Sequence, residues 1–178
     1  MKTYIALLRG INVGGKHILP MKELRELLEN LGMRNVRTYI QSGNVVFQSM
    51  ENDTSRMAAT ISGAILEEYG FEPAVLILTS EEMEEAMVAN PFPETVSEPK
   101  FLHLFFLASL PRSPDLQALE GLKKGEERFE LRGAVFYLHT PQGIGRSKLA
   151  ANVEKKLGVP VSARNWRSVS KIMAIALE

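Results

Sequence analysis

The order in which strand-like and helix-like segments follow one another is the feature that most constrains the fold of this chain. In residues 1–92 the apolar pattern predicts strand, helix, strand, strand, helix, strand and helix, and residues 93–178 repeat that order. Between the halves lies Asn90–Pro93, where the prolines are too closely spaced to continue a helix or a strand. The sequence therefore predicts two similar units, one over 1–92 and one over 93–178.

Glycines, prolines and capping residues mark the ends of the individual segments. Strands are predicted at Thr3–Arg9, Val36–Ile40, Val45–Gln48, Ala74–Leu78, Phe101–Leu107, Arg128–Leu131, Val135–His139 and Val159–Ser162. Helices are predicted from Pro20 to Leu31, from a cap at Asp53 or Thr54 to Tyr69, from Thr79 or Ser80 to Ala89, over Leu116–Leu122, over Ser147–Leu157 and after a cap at Asn165. The hairpin turn Gln41–Asn44 contains a Gly-Asn pair, which is expected to supply the positive φ angles of a tight turn.

The order β-α-β-β-α-β is that of the ferredoxin-like fold, an α+β arrangement with an antiparallel sheet. Its first strand lies beside its third, so the loop after strand 1 and the turn before strand 3 meet at one end of the sheet. We therefore expect Arg9–Lys16 beside Gln41–Asn44, with the N-terminus of the first helix pointing to the same place. In the second unit, Gly143–Lys148 and Ala163–Trp166 are expected together at the other end of their sheet.

The composition narrows the classes of protein to which this chain can belong. It contains no cysteine, which excludes disulfides, thiolate metal sites and cysteine nucleophiles. No apolar stretch reaches the roughly 18 residues of a membrane span, and no signal-peptide pattern precedes the first strand. The three histidines lack metal-ligand spacing. We expect a cytoplasmic protein with no membrane association, no metal and no cofactor.

The run Arg9–Lys16, RGINVGGK, is the segment most suggestive of a binding site. Glycines let backbone N–H groups converge, a following helix N-terminus favours anions, and Arg9 and Lys16 add positive charge, all typical of a phosphate or carboxylate site. The run matches neither a Walker A loop nor the G-x-G-x-x-G fingerprint. Its glycines could equally serve only the backbone geometry of a strand-to-helix connection. The candidate ligand-binding residues are Arg9, Gly10, Asn12, Gly14, Gly15, Lys16, Gln41, Ser42, Gly43 and Asn44.

Two basic loops of the second unit form a second candidate site, for which we consider association with nucleic acid as the alternative function. Its residues are Arg146, Ser147, Lys148, Arg164, Asn165 and Trp166, with Arg167 nearby. Ser147 could instead only cap a helix, and Trp166 could instead belong to the core. The formal net charge of zero argues against a general nucleic-acid binder. Neither site identifies a reaction, and the oligomeric state stays open.

Five motifs spread along the chain carry a family resemblance. They are YIALLRGINVGG at Tyr4–Gly15, YIQSGN at Tyr39–Asn44, NPF at Asn90–Phe92, GRSK at Gly145–Lys148 and ARNW at Ala163–Trp166. In these motifs the chain resembles the bacterial family catalogued as domain of unknown function 1697. The resemblance implies an α+β protein with paired ferredoxin-like subdomains. That family has no established activity, so the resemblance supplies no catalytic residue.

Overall fold

The two halves of the chain each form a four-stranded antiparallel sheet, and the computed structural model describes every residue from Met1 to Glu178. The first half contains β1 (Lys2–Arg9), α1 (Met21–Asn30), β2 (Arg34–Tyr39), β3 (Asn44–Ser49), α2 (Thr54–Tyr69), β4 (Ala74–Thr79) and α3 (Ser80–Val88). The second half contains β5 (Leu102–Leu107), α4 (Leu116–Leu122), β6 (Arg128–Arg132), β7 (Val135–His139), α5 (Lys148–Leu157), β8 (Val161–Asn165) and α6 (Trp166–Ala176). Short 3₁₀ helices cover Pro93–Ser97 and Ile144–Arg146.

The strand order is the same in both sheets. It runs β2-β3-β1-β4 in the first and β6-β7-β5-β8 in the second, and every neighbouring pair is antiparallel. The first strand of each unit therefore lies between the third and the fourth, which is the ferredoxin-like arrangement. The predicted α+β fold with two ferredoxin-like units is confirmed.

The helix-covered face of the first sheet follows from the alternation of side chains along its central strands. Tyr4, Ala6 and Leu8 of β1 point to that face and are at most 1% exposed. They meet the apolar faces of α1 and α2, whose fully buried members are Leu24, Leu28, Ile61 and Ile65. Full burial of one such aliphatic side chain stabilises the fold by about 1.5–3 kcal/mol. This core holds β1 rigidly, and with it the loop that follows Arg9.

The corresponding face of the second sheet has an aromatic centre. Phe136 is fully buried, stacks on Phe129 at 5.2 Å between ring centroids and meets Phe105 edge-on at 5.7 Å. Around these rings the core is completed by Leu107, Leu119, Leu138, Leu149, Val153 and Leu157. The helix α5 is therefore fixed against β7, which sets the position of the loop between them.

Polar side chains cap five of the helices, at positions that the sequence suggests, and Thr79 caps α3 by accepting from the backbone N–H of Glu82 at 3.1 Å. Asp53 accepts from the backbone N–H of Arg56 at 3.0 Å, and Asn165 accepts from that of Ser168 at 2.9 Å, both as predicted. Asp115 caps α4 and Ser147 caps α5 in the same way. None of the helices combines the length and the apolar character that a membrane span requires.

The chain divides into two compact units, Met1–Glu85 with Ser170–Glu178, and Ala86–Val169. The segment Ser170–Glu178, which the sequence analysis placed in the second unit, thus lies with the first. Arg37 of β2 holds it there, donating to the backbone oxygen of Ile175 at 2.5 Å and pairing with the Glu178 carboxylate. These contacts are between residues far apart in the sequence, so no local pattern indicates them.

Candidate functional site

The loop after β1 is a miniature hairpin. Val13 and Lys16 form an isolated antiparallel bridge, and the Lys16 N–H donates to the Val13 oxygen at 3.0 Å. Gly14 and Gly15 between them have φ angles of 58° and 72°, the left-handed values that a two-residue turn of this kind requires at both positions. No hydrogen bond within the chain uses the N–H group of either glycine. The turn accounts for both glycines and leaves two exposed backbone donors at its tip.

The side chain of Asn12 fastens this hairpin to its surroundings. Its Nδ2 donates to the backbone oxygens of Leu19 at 2.9 Å and Gln41 at 2.8 Å, and its Oδ1 accepts from the Leu19 N–H at 2.8 Å. The loop Arg9–Lys16 therefore lies beside Gln41–Asn44, as the strand order predicts. Leu19 precedes α1 closely, so the start of that helix is fixed to the same loop. Asn12 is occupied by these three bonds and serves to position the loop.

The turn Gln41–Asn44 differs from the expectation that its Gly-Asn pair would supply the positive φ angles. Gly43 does so, at 82°, but the second left-handed residue is Ile40, at 50°. Asn44 is instead the first residue of β3, nearly inaccessible, and its Nδ2 donates to the Tyr39 oxygen and the Ser42 Oγ. The pairing of Asn44 with Leu7 in the sheet keeps its backbone extended, so that expectation was wrong.

Burial separates the candidate residues of the first site into two groups. Gly43 and Asn44 are buried and Asn12 is half-buried, whereas the exposed members are Arg9, Gly10, Gly14, Gly15, Lys16, Gln41 and Ser42. His17 lies at the base of the hairpin, with Nδ1 3.0 Å from the Gly10 oxygen and its ring stacked on Phe71 at 4.6 Å. The structure thus presents a cationic loop with exposed backbone donors on a base held by Asn12 and His17.

In the second unit, Ser147 carries a contact that sequence reasoning missed. Its Oγ accepts from the Ala150 N–H at 3.0 Å, capping α5, and donates to Glu127 Oε2 at 2.5 Å. The other oxygen of Glu127 accepts from the backbone N–H of Lys124 at 2.8 Å. The side chains of Ser147 and Glu127 are both buried. A helix N-terminus attracts an anion, and here the chain supplies one from its own loop. Only the strand order, which brings the segment before β6 near the loop after β7, could have suggested Glu127.

The remaining residues of the second candidate site are not all open to a partner. Both loops do lie at the same end of the sheet, because His139 pairs with Leu102 and Asn165 pairs with His103. Burial lowers the pKa of Arg164 to about 10, and its guanidinium donates to the Ala163 oxygen. Asn165 is used as the cap of α6, and Trp166 is half-buried. Arg146, Lys148 and Arg167 are exposed, so association with nucleic acid stays a prediction.

Three surface cavities are large enough to hold a small ligand. One of about 520 Å³ lies along β2 and β3 of the first unit, and none of the predicted site residues lines it. Two others, of about 430 and 510 Å³, lie between the loops that flank β6 and β7, and Arg146 and Ser147 line the smaller one. No group of three or more His, Asp or Glu side chains is placed to hold a metal ion. Both units therefore contain open cavities, and only in the second unit do predicted site residues line one.

Comparisons with known proteins agree with this architecture. The conserved bacterial protein SP0830 from Streptococcus pneumoniae superposes with a TM-score of 0.71 at 24% sequence identity, over 98% of each chain. At that identity the likeness concerns the fold alone. None of the curated proteins matches the sequence. The family described as "Protein of unknown function (DUF1697)" matches residues 1–137, which include the hairpin loop, the Asn12 contacts and both sheets up to β7. The chain therefore belongs to the DUF1697 family of proteins of unknown function.

Proposed function

We propose that this protein binds a small phosphorylated or carboxylated ligand at the hairpin loop Arg9–Lys16. The observation that carries the proposal is the pair of exposed N–H groups at Gly14 and Gly15, which no group of the chain accepts. Successive backbone donors in a turn form a concavity suited to an anion. Lys16 lies next to them with its side chain exposed. The expected cytoplasmic location is part of this proposal.

Rigidity of the loop supports binding because a preformed site loses little entropy when the ligand arrives. Asn12 supplies that rigidity through its bonds to Leu19 and Gln41. The same bonds bring the N-terminal end of α1 towards the loop, and its macrodipole adds a partial positive charge. Arg9, at the end of β1, precedes the two glycines in the sequence, and Lys16 follows them directly. An anion at the turn would meet the two backbone donors and the cationic side chain of Lys16, and the proposal adds Arg9.

Thermal unfolding with inorganic phosphate, pyrophosphate and a set of nucleotide and sugar phosphates tests the proposal. We expect at least one probe to raise the melting temperature, and the same probe to shift the amide resonances of Gly14 and Gly15. The double variant Arg9→Ala with Lys16→Ala should lose this stabilisation while unfolding cooperatively. Lys171→Ala removes an exposed charge elsewhere in the first unit and should leave it unchanged. Absence of any shift with the whole panel would overturn the proposal.

A further inference from the structure

The four edge strands of the two sheets differ in how they are protected from pairing with a further strand. Edge strands are usually protected by charged residues, by a bulge, or by a group that covers the backbone. The edge strand β2 carries Arg34 and Arg37 and has a register shift between them, and β6 alternates charged residues in RFELR. In β8 the N–H of Val161 donates to the Glu154 carboxylate at 2.9 Å. Three of the four edges are therefore protected.

The fourth edge strand, β4, has none of these protections. Its sequence AVLILT contains no charged residue and no proline, and it pairs with β1 over Ala74–Thr79 without a register shift. Every one of its residues except Ile77 is at least partly exposed. A regular, uncharged and apolar edge is a template on which another strand can pair. We call the outer side of Ala74–Thr79 the β4 edge.

The direction of the backbone groups in β4 follows from the pairing of β1. The N–H of Leu8 donates to a carbonyl oxygen on the β3 side, so the N–H of Leu7, the preceding residue, is directed to β4, where its partner is Leu76. This direction alternates along a strand. The N–H and C=O groups of Val75 and Ile77 therefore point away from β1, towards the β4 edge.

The chain satisfies this edge at its two ends but not in its middle. The Pro73 oxygen accepts from Ser62 Oγ at 2.6 Å, and the Thr79 N–H donates to Glu82 Oε2 at 2.8 Å. The outward groups of the two residues between them, at positions 75 and 77, have no hydrogen-bond partner within the chain. The side chains of these two residues pack in the core on the helix-covered face. Their two N–H and two C=O groups are therefore what they offer to a partner strand.

The charge around β4 indicates the chemistry of the partner. Residues 57–85, which include β4, contain seven glutamates and no lysine or arginine. The neighbouring strand β1 contributes two cations near its ends, Lys2 and Arg9. The carboxylates of this region thus outnumber the cations. Electrostatic complementarity then favours a partner strand with basic side chains.

A second copy of this chain fits the β4 edge poorly. Antiparallel pairing of two β4 strands about Leu76 would set Glu72 of each copy beside the start of α3 in the other, where Glu81 and Glu82 follow each other. Like charges across a pair of strands are destabilising. The occupant is therefore a different chain.

We propose that the β4 edge binds an extended segment of another protein in which basic and apolar residues alternate. The backbone of the segment pairs with Val75 and Ile77. Its apolar side chains cover the half-exposed Leu76 and Leu78, and its basic side chains lie near the glutamates that precede and follow β4. In strand addition of this kind the backbone bonds give affinity and the alternate side chains give specificity. The β4 edge is independent of the anion site at the hairpin loop.

Titration with an eight-residue peptide of alternating lysine and valine, blocked at both ends so that it carries no carboxylate, tests the proposal. We expect this peptide to shift the amide resonances of Val75 and Ile77 and to slow the exchange of their amide hydrogens. A peptide of alternating glutamate and valine should not do so, and neither should the lysine peptide with every backbone nitrogen methylated. If the resonances of both residues stay unchanged at millimolar peptide, or respond equally to the lysine and glutamate peptides, the proposal is overturned.

Variants test the backbone and the charge separately. Val75→Pro removes one outward N–H and leaves the bonds to β1 intact, so it should weaken peptide binding by about tenfold or more, whereas Val75→Thr keeps that N–H and should bind normally. Should the proline variant fail to fold, the charge variants still decide. Glu72→Lys with Glu81→Lys should reverse the preference in favour of the glutamate peptide, and Glu26→Lys with Glu29→Lys on α1 should not. An unchanged preference in the first pair, or a peptide-free dimer in sedimentation that Val75→Pro dissociates, would refute the proposal.

Discussion

The hydroxyl of Ser147 and the carboxylate of Glu127 are joined by a hydrogen bond of 2.5 Å between loops that lie 20 residues apart in the sequence. The serine that caps α5 thus also ties the segment before β6 to the loop after β7. The Glu127 carboxylate lies at the N-terminus of α5, where the GRSK motif alone suggests a site for an external anion. The loop around Ser147 is therefore held in place by Glu127 of the same chain.

Removal of the Glu127 side chain should destabilise the second unit. Glu127→Ala leaves the Ser147 hydroxyl and the Lys124 N–H without their buried acceptor, which we expect to cost about 1–3 kcal/mol of unfolding free energy. Urea unfolding measures the difference. The exposed neighbour gives a matched control, since Glu126→Ala should change stability by less than about 0.5 kcal/mol. Equal effects of the two substitutions would show that the Ser147–Glu127 bond contributes nothing.

Gly43 is expected to tolerate no side chain. A Cβ there would lie 2.7 Å from the Cβ of Leu8 and 3.0 Å from Cδ1 of Ile11, at a φ of 82°. Gly43→Ala should therefore lower the free energy of unfolding by about 2–4 kcal/mol, from overpacking and from the left-handed backbone. Gly63→Ala, on the exposed face of α2 with nothing within 4 Å, should instead raise it by up to about 1 kcal/mol. Denaturant unfolding of both variants checks the contrast, and a neutral Gly43→Ala would contradict it.

Acid should weaken the fold through His103. Burial lowers the pKa of His103 to about 4, and its side chain is 6% exposed on the face of the sheet that carries Phe105. Besides burial, the charge of His139 contributes to the lowering of this pKa, and a hydrogen bond with the backbone of Phe101 opposes it. In the unfolded chain the pKa is about 6.5, so between pH 6.5 and pH 4 the unfolded state binds more protons than the folded state.

The unfolding free energy should therefore fall as the pH is lowered through this window, by about 2 kcal/mol between pH 7 and pH 5. The variant His103→Leu cannot take up this proton and should lose about that much less over the same interval. Urea titrations at the two pH values give the comparison. If the wild-type protein and His103→Leu lose the same stability, the histidine is not the source of the acid sensitivity.

The order of the elements could be predicted because it depends on local spacing. The helix α4 covers Leu116–Leu122 as the apolar pattern indicates, and Asn165 caps α6 through a contact three residues away. Small differences also have local causes. The last strand begins at Val161 and not at Val159, and the intervening Pro160 has no N–H to donate to a ladder. The ferredoxin-like order of elements in turn predicted the strand order, and the strand order predicted that Arg9–Lys16 lies beside Gln41–Asn44.

The contacts that define the sites could not be predicted, because they depend on side chains that meet only after folding. Nothing in the sequence near Asn12 shows that its amide binds Gln41. The orphaned nitrogens of His139 likewise depend on which side chains surround it in the sheet. The segment Ser170–Glu178 begins in the middle of α6 and yet lies with the first unit through Arg37. Local periodicity carries no information about such partners.

Ile40 is a β-branched residue held at a φ of 50°, although half of its surface is exposed to solvent. A left-handed backbone costs a residue of this kind about 1–2 kcal/mol, and an exposed side chain recovers little of that by burial. Asparagine adopts this conformation more readily, so Ile40→Asn should raise the unfolding free energy by about 1 kcal/mol. Ile18, in the neighbouring loop, has similar exposure and an ordinary backbone. Ile18→Asn should therefore leave stability nearly unchanged, and equal thermal shifts in the two variants would show that Ile40 stores no strain.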